Sequence, residues 1–220
     1  VCCRHGHGEY WNQLGYNAEY DILINIFNAW PGVFTETVFP RLDDEAFTCG
    51  YLAPVIGHEL VHGFDNTGRY YDSEGLESDS WTPGDAGRFE ERAWRVSDYY
   101  STLTYEGRKV NGEQVLGECI AELGGLSIAY EAMKRLTGGA ELRDADGFTA
   151  AQRFFFGYAW FLAEGSPEEI AYAYENDPHV YSPLRVTSTC ANMAGWYEAF
   201  PEVKPGDKWY IAPEDRVGVW

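Results

Sequence analysis

The sequence has 220 residues, 45% of them hydrophobic, which is enough to bury the core of one domain. Its formal net charge of −19 argues against binding to nucleic acid or to an anionic membrane surface, because both would repel it. No apolar run reaches the ~20 residues needed to cross a bilayer, and the start lacks a signal-peptide pattern. We expect a soluble domain without membrane contact; the native compartment stays unknown. The five cysteines match no zinc-finger spacing, and their number is compatible with one or two disulfide bridges.

The beginning of the chain carries little regular pattern. We expect residues 1–20 to form an irregular N-terminal segment and residues 21–220 to form one domain. Residues 21–28 and 33–39 are rich in β-branched and aromatic residues, and a Trp-Pro-Gly turn separates them. They fit a hairpin or two edge segments, which could be purely structural or could pair with an extended peptide substrate.

The rest of the chain is predominantly helical in pattern. A buried helix is predicted from 53 to 66, and the Gly- and Asp-rich stretch 67–84 reads as a loop. Further helices are predicted over 83–103, 113–136, 149–164, 167–176 and 190–200. The sequence therefore predicts a mainly α fold with a small β-sheet, which belongs to the α+β class.

An HExxH motif lies in the first of these helices. His58 and His62 stand one helical turn apart on the same face, so both imidazoles can bind one zinc ion with Glu59 beside its open position. HExxH alone is a moderate signal, because such short patterns also occur by chance in buried helices. A zinc site needs a third protein ligand, and no third histidine follows at the spacing HExxHxxGxxH.

The best candidate for the third ligand is Glu118. Glu118 and Glu122 are four residues apart on one helix face in an apolar context, where two carboxylates would repel unless a cation compensated them. Glu118 can then bind zinc, and Glu122 can accept a hydrogen bond from a ligating histidine. The alternative is a solvent-facing acidic pair, with Cys119 and Ile120 facing the core. The pair Gly124-Gly125 favours the zinc interpretation, since it suggests close packing against another element.

Residues spread along the chain share a further pattern, which consists of Asn28-Ala29, Val38-Phe39-Pro40, Val55-Ile56-Gly57-His58-Glu59, His62-Gly63-Phe64-Asp65, Gly68-Arg69, Gly117-Glu118, Ala121, Gly124-Gly125-Leu126 and Val219-Trp220. In these residues the chain resembles the catalytic, C-terminal part of the neprilysin family of zinc endopeptidases, peptidase family M13, in a style closest to its bacterial oligopeptidase O-type members. The resemblance implies a zincin-like (gluzincin) catalytic domain, one zinc ion per chain and peptide substrates.

The resemblance also implies roles for individual residues. The zinc ligands would be His58, His62 and Glu118; the catalytic residues Glu59 as general base, His179 and Glu122; and the substrate-binding residues Arg185, Asn28, Ala29 and Val55. His179 would stabilise the oxyanion, which agrees with the need for a positioned donor at the developing charge. Without the resemblance, His179 would be interpreted as a surface histidine and Asn28 as a turn residue.

Asp65 has two interpretations. It lies close enough to His62 to support that ligand from behind, or it could form a helix-surface ion pair with Arg69. These residues predict a zinc-dependent endopeptidase, and the resemblance implies that it cleaves on the amino side of hydrophobic residues. One alternative is a zinc-binding pseudoenzyme or peptide-binding module without turnover, because the covering N-terminal lobe of the family has no counterpart in these 220 residues. The other is a metal-free structural domain.

Overall fold

The computed structural model describes residues 17–34, 43–136, 147–163 and 177–220. Its helices are α1 (Glu45–His62), α2 (Pro83–Thr102), α3 (Leu116–Leu136), α4 (Ala150–Phe161), α5 (Ser182–Ala191) and α6 (Ala194–Ala199). Two antiparallel hairpins pair β1 (Ala18–Asp21) with β2 (Ile26–Ala29) and β3 (Thr104–Tyr105) with β4 (Arg108–Lys109). Short 3-10 helices occupy Pro31–Phe34, Gly68–Tyr70 and Pro213–Asp215. The predicted α+β class is confirmed. Within the described ranges, no helix combines the length and the apolar character that a membrane span requires.

Helix α1 is longer at its start than the sequence predicted. It begins at Glu45 rather than at residue 53, because the Asp44 carboxylate caps it by accepting hydrogen bonds from the backbone N–H groups of Ala46 and Phe47. The same carboxylate accepts a hydrogen bond of 2.8 Å from Arg153 Nε. Pro54 lies inside the helix, where it removes one backbone hydrogen bond without ending it.

Helix α1 packs between α3 and α4 at glycine contacts that leave no room for side chains. A Cβ atom on Gly57 would lie 2.7 Å from the carbonyl oxygen of Gly125, and one on Gly125 would overlap the backbone at His58. On the α4 side, a Cβ atom on Gly50 would overlap the carbonyl of Phe154. The close packing predicted at Gly124-Gly125 is therefore present. These contacts place the histidines of α1 directly opposite α3.

The core consists of two clusters of buried side chains, and α3 contributes to both. Ile120 packs with Val96 and Tyr100 of α2 in the first cluster. Leu126 packs with Phe154 of α4 in the second. Because buried contacts hold α3 on two sides, its acidic face has a defined orientation toward α1.

The remaining helix predictions were partly correct. Helices α2 and α4 match predicted segments, and α3 begins three residues later than predicted. The helix predicted over 190–200 is present only in part: α6 lies within it, but α5 ends at Ala191 and the two helices are separate. At the junction the Asn192 side chain accepts a hydrogen bond from Val217 N and donates one to Ser188 O. The helix predicted over 167–176 lies outside the described residues.

The first hairpin is offset from its prediction. Its turn lies at residues 22–25, where Asn25 adopts a φ of 51°, a left-handed conformation that asparagine tolerates better than most residues. The predicted turn at Trp30-Pro31-Gly32 instead runs into a 3-10 helix, and residues 35–39 of the second predicted segment lie outside the described residues. Strand β1 crosses the predicted boundary between the N-terminal segment 1–20 and the domain 21–220. The division of the chain into these two parts stays a prediction.

Candidate active site

The three predicted zinc ligands converge in the structure. His58 Nε2 lies 3.1 Å from Glu118 Oε2, His62 Nε2 lies 3.0 Å from His58 Nε2, and His62 Nε2 lies 3.6 Å from Glu118 Oε2. Ligand atoms around a tetrahedral zinc ion, at about 2.0–2.1 Å from it, lie about 3.3 Å from one another. The three donor atoms therefore have the types and the separations that zinc requires.

His179 reaches the same point from the other side of the site. Its Nε2 lies 2.9 Å from Glu118 Oε2, and the ligand atoms of His58, Glu118 and His179 lie within 4.8 Å of one another. Asp177 Oδ1 orients His179 by contacting Nδ1 at 2.6 Å and by accepting a hydrogen bond of 2.8 Å from its backbone N–H. The His179 side chain is 36% exposed and that of His62 is 19% exposed. His62 is therefore the less exposed of the two imidazoles, and His179 lies on the more exposed side of the group.

The charges of the site explain why it suits a cation. Burial opposes ionisation of Glu118, but hydrogen bonds from the imidazoles, led by His179, hold its pKa well below the usual range. Burial also opposes protonation of His62, whereas Asp65 and Glu118 raise its pKa to about 10. In the same way Asp177 and Glu118 overcome burial to raise the pKa of His179 to about 9. The carboxylates thus favour positive charge between them, which a divalent metal ion supplies.

Glu59 lies beside the ligands in a buried position. It is 8% exposed, and this burial raises its pKa, although the neighbouring imidazoles of His58 and His62 act in the opposite direction. A carboxylate with a raised pKa is better matched to proton transfer near neutral pH than an ordinary surface glutamate.

Glu122 lies close to the ligands but has different partners from those predicted. Its Oε2 is 3.9 Å from His58 Nδ1, too far for the expected hydrogen bond, and His58 Nδ1 has no hydrogen-bond partner among the described residues. Arg185 Nε and Nη2 contact Oε2 at 2.6 Å, and the Tyr158 hydroxyl donates to Oε1 at 3.0 Å. Burial would raise the pKa of Glu122, but Arg185 holds it below its usual range. Glu122 therefore anchors Arg185 instead of a zinc ligand.

Asp65 contacts His62, the position from which it was predicted to support a zinc ligand. Its Oδ2 lies 2.8 Å from His62 Nδ1, and its Oδ1 accepts a hydrogen bond of 2.7 Å from Gly68 N. The alternative pair with Arg69 is not formed, since the Arg69 guanidinium contacts Glu90 at 2.8 Å. This favours the first of the two interpretations of Asp65.

The other predicted substrate-binding residues lie on two elements near the site. Asn28 and Ala29 are on β2, and Val55 is buried in α1, one helical turn before Glu59. Tyr20 of the paired strand lies next to Gly63, which directly follows His62, so the hairpin borders the end of α1. Their roles toward a substrate stay predictions.

Two residues of the site were missed in the sequence. Asp177 precedes His179 by two residues, and an acid at that spacing was a signal that could have identified it. Tyr158 carried no such signal, because an aromatic residue in an apolar helix most often belongs to the core.

Comparison with known proteins identifies a consistent group of relatives. Residues 17–217 match the model of peptidase family M13. Neutral endopeptidase of Lactobacillus helveticus is 32% identical over 93% of this chain, and Neprilysin-3 of Drosophila melanogaster is 34% identical over 93%. The chain covers only 30% and 26% of these relatives.

Solved structures give the same result. Zinc metalloprotease Zmp1 of Mycobacterium tuberculosis, in complex with an inhibitor, superposes with a TM-score of 0.85 at 32% identity, over 91% of this chain and 32% of that one. PepO of Lactobacillus rhamnosis superposes with a TM-score of 0.78 at 31% identity, over 92% of this chain and 31% of that one. The fold is therefore that of a zincin-like metallopeptidase domain, as predicted.

Proposed function

Since the chain belongs to peptidase family M13, we propose that it hydrolyses internal peptide bonds with one zinc ion held by His58, His62 and Glu118. The single observation that carries this proposal is the convergence of these three donor atoms, at 3.0 to 3.6 Å from one another, beside a buried Glu59. Because the chain covers less than a third of its relatives, their activity is a proposal for this protein.

The residues of the site divide the chemistry between them. Zinc, when bound, lowers the pKa of water and polarises a carbonyl group. Glu59 takes a proton from the attacking water and returns it to the leaving amine. His179, oriented by Asp177, donates a hydrogen bond to the oxygen on which negative charge develops.

Substrate positioning is assigned to residues on the two sides of the zinc ligands. Arg185 binds a substrate carbonyl, and Asn28, Ala29 and Val55 align the peptide. The proposed preference for bonds on the amino side of hydrophobic residues rests on the family resemblance. Mass spectrometry of the products from a peptide mixture tests it, because a preference would concentrate hydrophobic residues at the new amino termini.

The decisive experiment is Glu59→Gln, assayed for zinc content and for cleavage of a fluorogenic peptide. We expect the variant to retain about one zinc per chain and to lose about 10² to 10⁴-fold in kcat, the usual contribution of a general base. Glu131→Gln is the matched control, since Glu131 lies exposed on α3. A metal chelator should abolish parental activity, and added zinc should restore it.

The outcomes separate the candidate functions. Equal turnover in Glu59→Gln and the parent would refute the assigned base. A parent that binds zinc and peptide without cleavage would identify a peptide-binding module or pseudoenzyme, and a parent without zinc would identify a structural domain.

A further inference from the structure

Three helices meet at a buried hydrogen-bond network beside the zinc ligands. Glu122 comes from α3, Tyr158 from α4 and Arg185 from α5. Glu122 Oε2 accepts from Arg185 Nε and Nη2 at 2.6 Å, and Oε1 accepts from the Tyr158 hydroxyl at 3.0 Å. The same hydroxyl lies 3.4 Å from the backbone carbonyl of Arg185. Tyr158 is therefore adjacent to both members of the Glu122–Arg185 ion pair.

The ion pair alone does not fix the plane of the Glu122 carboxylate, whereas the Tyr158 hydroxyl does. The final torsion of a glutamate side chain is broad, so contacts to a single oxygen leave the carboxylate free to rotate. A donor on Oε1 removes that freedom. Tyr158 is 1% exposed and packed in the core, so its hydroxyl position is set by the protein interior. Burial also raises the pKa of Tyr158 well above its usual value, which keeps the proton available for donation.

The guanidinium of Arg185 is the group that this arrangement orients. Its Nε and Nη2 are used by Glu122, and its Nη1 is not part of that contact. The Arg185 side chain is 19% exposed, so it borders both the core and the cleft. A guanidinium is planar, and fixing one edge therefore fixes the other.

We propose that Tyr158 is a positioning residue for substrate binding: through Glu122 it holds the Arg185 guanidinium at the place where a substrate carbonyl is bound. The inference rests on the proposed function, because it takes Arg185 as a substrate-binding residue. Tyr158 touches neither the substrate nor the zinc ligands in this role.

The first test measures peptide binding in a chain that does not turn over. A peptide with a single phenylalanine is titrated calorimetrically into zinc-loaded Glu59→Gln and into the same chain with Tyr158→Phe. We expect Kd to rise about tenfold, since a hydrogen bond to a charged group is lost while the ring volume is kept. Tyr100→Phe is the matched control: Tyr100 is also 1% exposed, but its hydroxyl contacts Ser188. The control should leave Kd unchanged.

A double-mutant cycle tests whether Tyr158 acts through Arg185. Arg185→Lys keeps a positive charge beside Glu122 but removes the planar guanidinium. We expect Tyr158→Phe to cause no further loss of peptide binding in the Arg185→Lys chain. In the otherwise unmodified enzyme, Tyr158→Phe should raise KM about tenfold with kcat retained, the pattern of lost uniform binding.

Several results would overturn the inference. In the binding assay, these results are an unchanged Kd in Tyr158→Phe, an equal loss of peptide affinity in Tyr158→Phe and Tyr100→Phe, or no binding of the peptide to Glu59→Gln. In the double-mutant cycle, the contrary result is a loss of affinity in Tyr158→Phe that adds to that of Arg185→Lys. A Tyr158→Phe chain that melts below the assay temperature would also contradict the inference. Failure of the proposed function looks different: the parent would not cleave the peptide, whereas the binding cycle would still report on Tyr158.

Discussion

The contact between Gly57 and Gly125 allows a quantitative prediction for the variant Gly57→Ala. The new Cβ atom would lie 2.7 Å from Gly125 O and 2.9 Å from Gly125 Cα, whereas ordinary contacts begin at 3.4 Å. Backbone atoms cannot rotate away, so α1 and α3 must separate by about 0.7 Å, the difference between 2.7 and 3.4 Å. That separation carries His58 away from Glu118.

Two free-energy terms oppose each other in this variant. Overpacking a tight contact costs about 1–3 kcal/mol, and replacing a helical glycine by alanine recovers about 1 kcal/mol. We expect a modest net fall in stability, which lowers Tm by about 2–4 °C for each kcal/mol in a chain of this size. The affinity for zinc should fall by a larger amount, because metal sites tolerate only about ±0.2 Å in ligand distance. The loss should resemble the ~10 to 100-fold weakening that follows mutation of residues supporting metal ligands.

Zinc competition against a chromophoric chelator measures the affinity, and thermal unfolding of the zinc-free chain measures stability. Gly87→Ala is the control, because a Cβ atom on Gly87 of α2 meets nothing within 4 Å. If Gly57→Ala bound zinc as tightly as Gly87→Ala and the parent, the glycine contact would not determine the ligand geometry.

Two other variants test residues that support α1 and its histidines. Asp65→Asn should weaken zinc binding about 10 to 100-fold by removing the carboxylate that contacts His62, while Asp98→Asn on the exposed face of α2 should bind zinc normally in the same chelator assay. Asp44→Ala should lower the free energy of unfolding in urea by about 3–5 kcal/mol, because it removes the carboxylate that pairs with the buried Arg153 cation, which keeps only its other contacts, such as that with Phe148 O. A loss below about 1 kcal/mol, the value of the helix cap alone, would show that the ion pair contributes little.

The convergence of the proposed zinc ligands could be predicted because helical spacing converts sequence distance directly into spatial distance. His58 and His62 are four residues apart, so their side chains had to share a face once the segment was helical. Glu118 could also be predicted, since an acidic pair in an apolar helix needs a compensating cation. The structure brings its carboxylate to 3.1 Å from His58.

The partners of Glu122 could not be predicted by that reasoning. Its contacts are with Tyr158 and Arg185, which are 36 and 63 residues away in the chain and belong to other helices. No periodicity specifies which of several buried polar groups will meet across three helices. The prediction placed Glu122 correctly beside the site and assigned it the wrong hydrogen-bond donor.

The predicted helix boundaries were wrong where a residue distant in the sequence contacts the end of the helix. Helix α1 begins at Glu45, and its Asp44 cap is held by Arg153, a residue 109 positions later. At the break between α5 and α6, the Asn192 side chain accepts a hydrogen bond from Val217 N, 25 residues later. In both places local propensity was overridden by a long-range polar contact, which a single sequence does not reveal.

The glycine contacts on both sides of α1 also make the metal site sensitive to the volume of the surrounding core. Where flexible side chains separate two helices, a change of packing is absorbed by new rotamers. Direct backbone contacts cannot adjust in that way, so we expect a volume change at Phe154 or Leu126 to displace α1 itself. Substitutions in the core that conserve hydrophobicity but alter size can therefore change zinc affinity without touching any ligand.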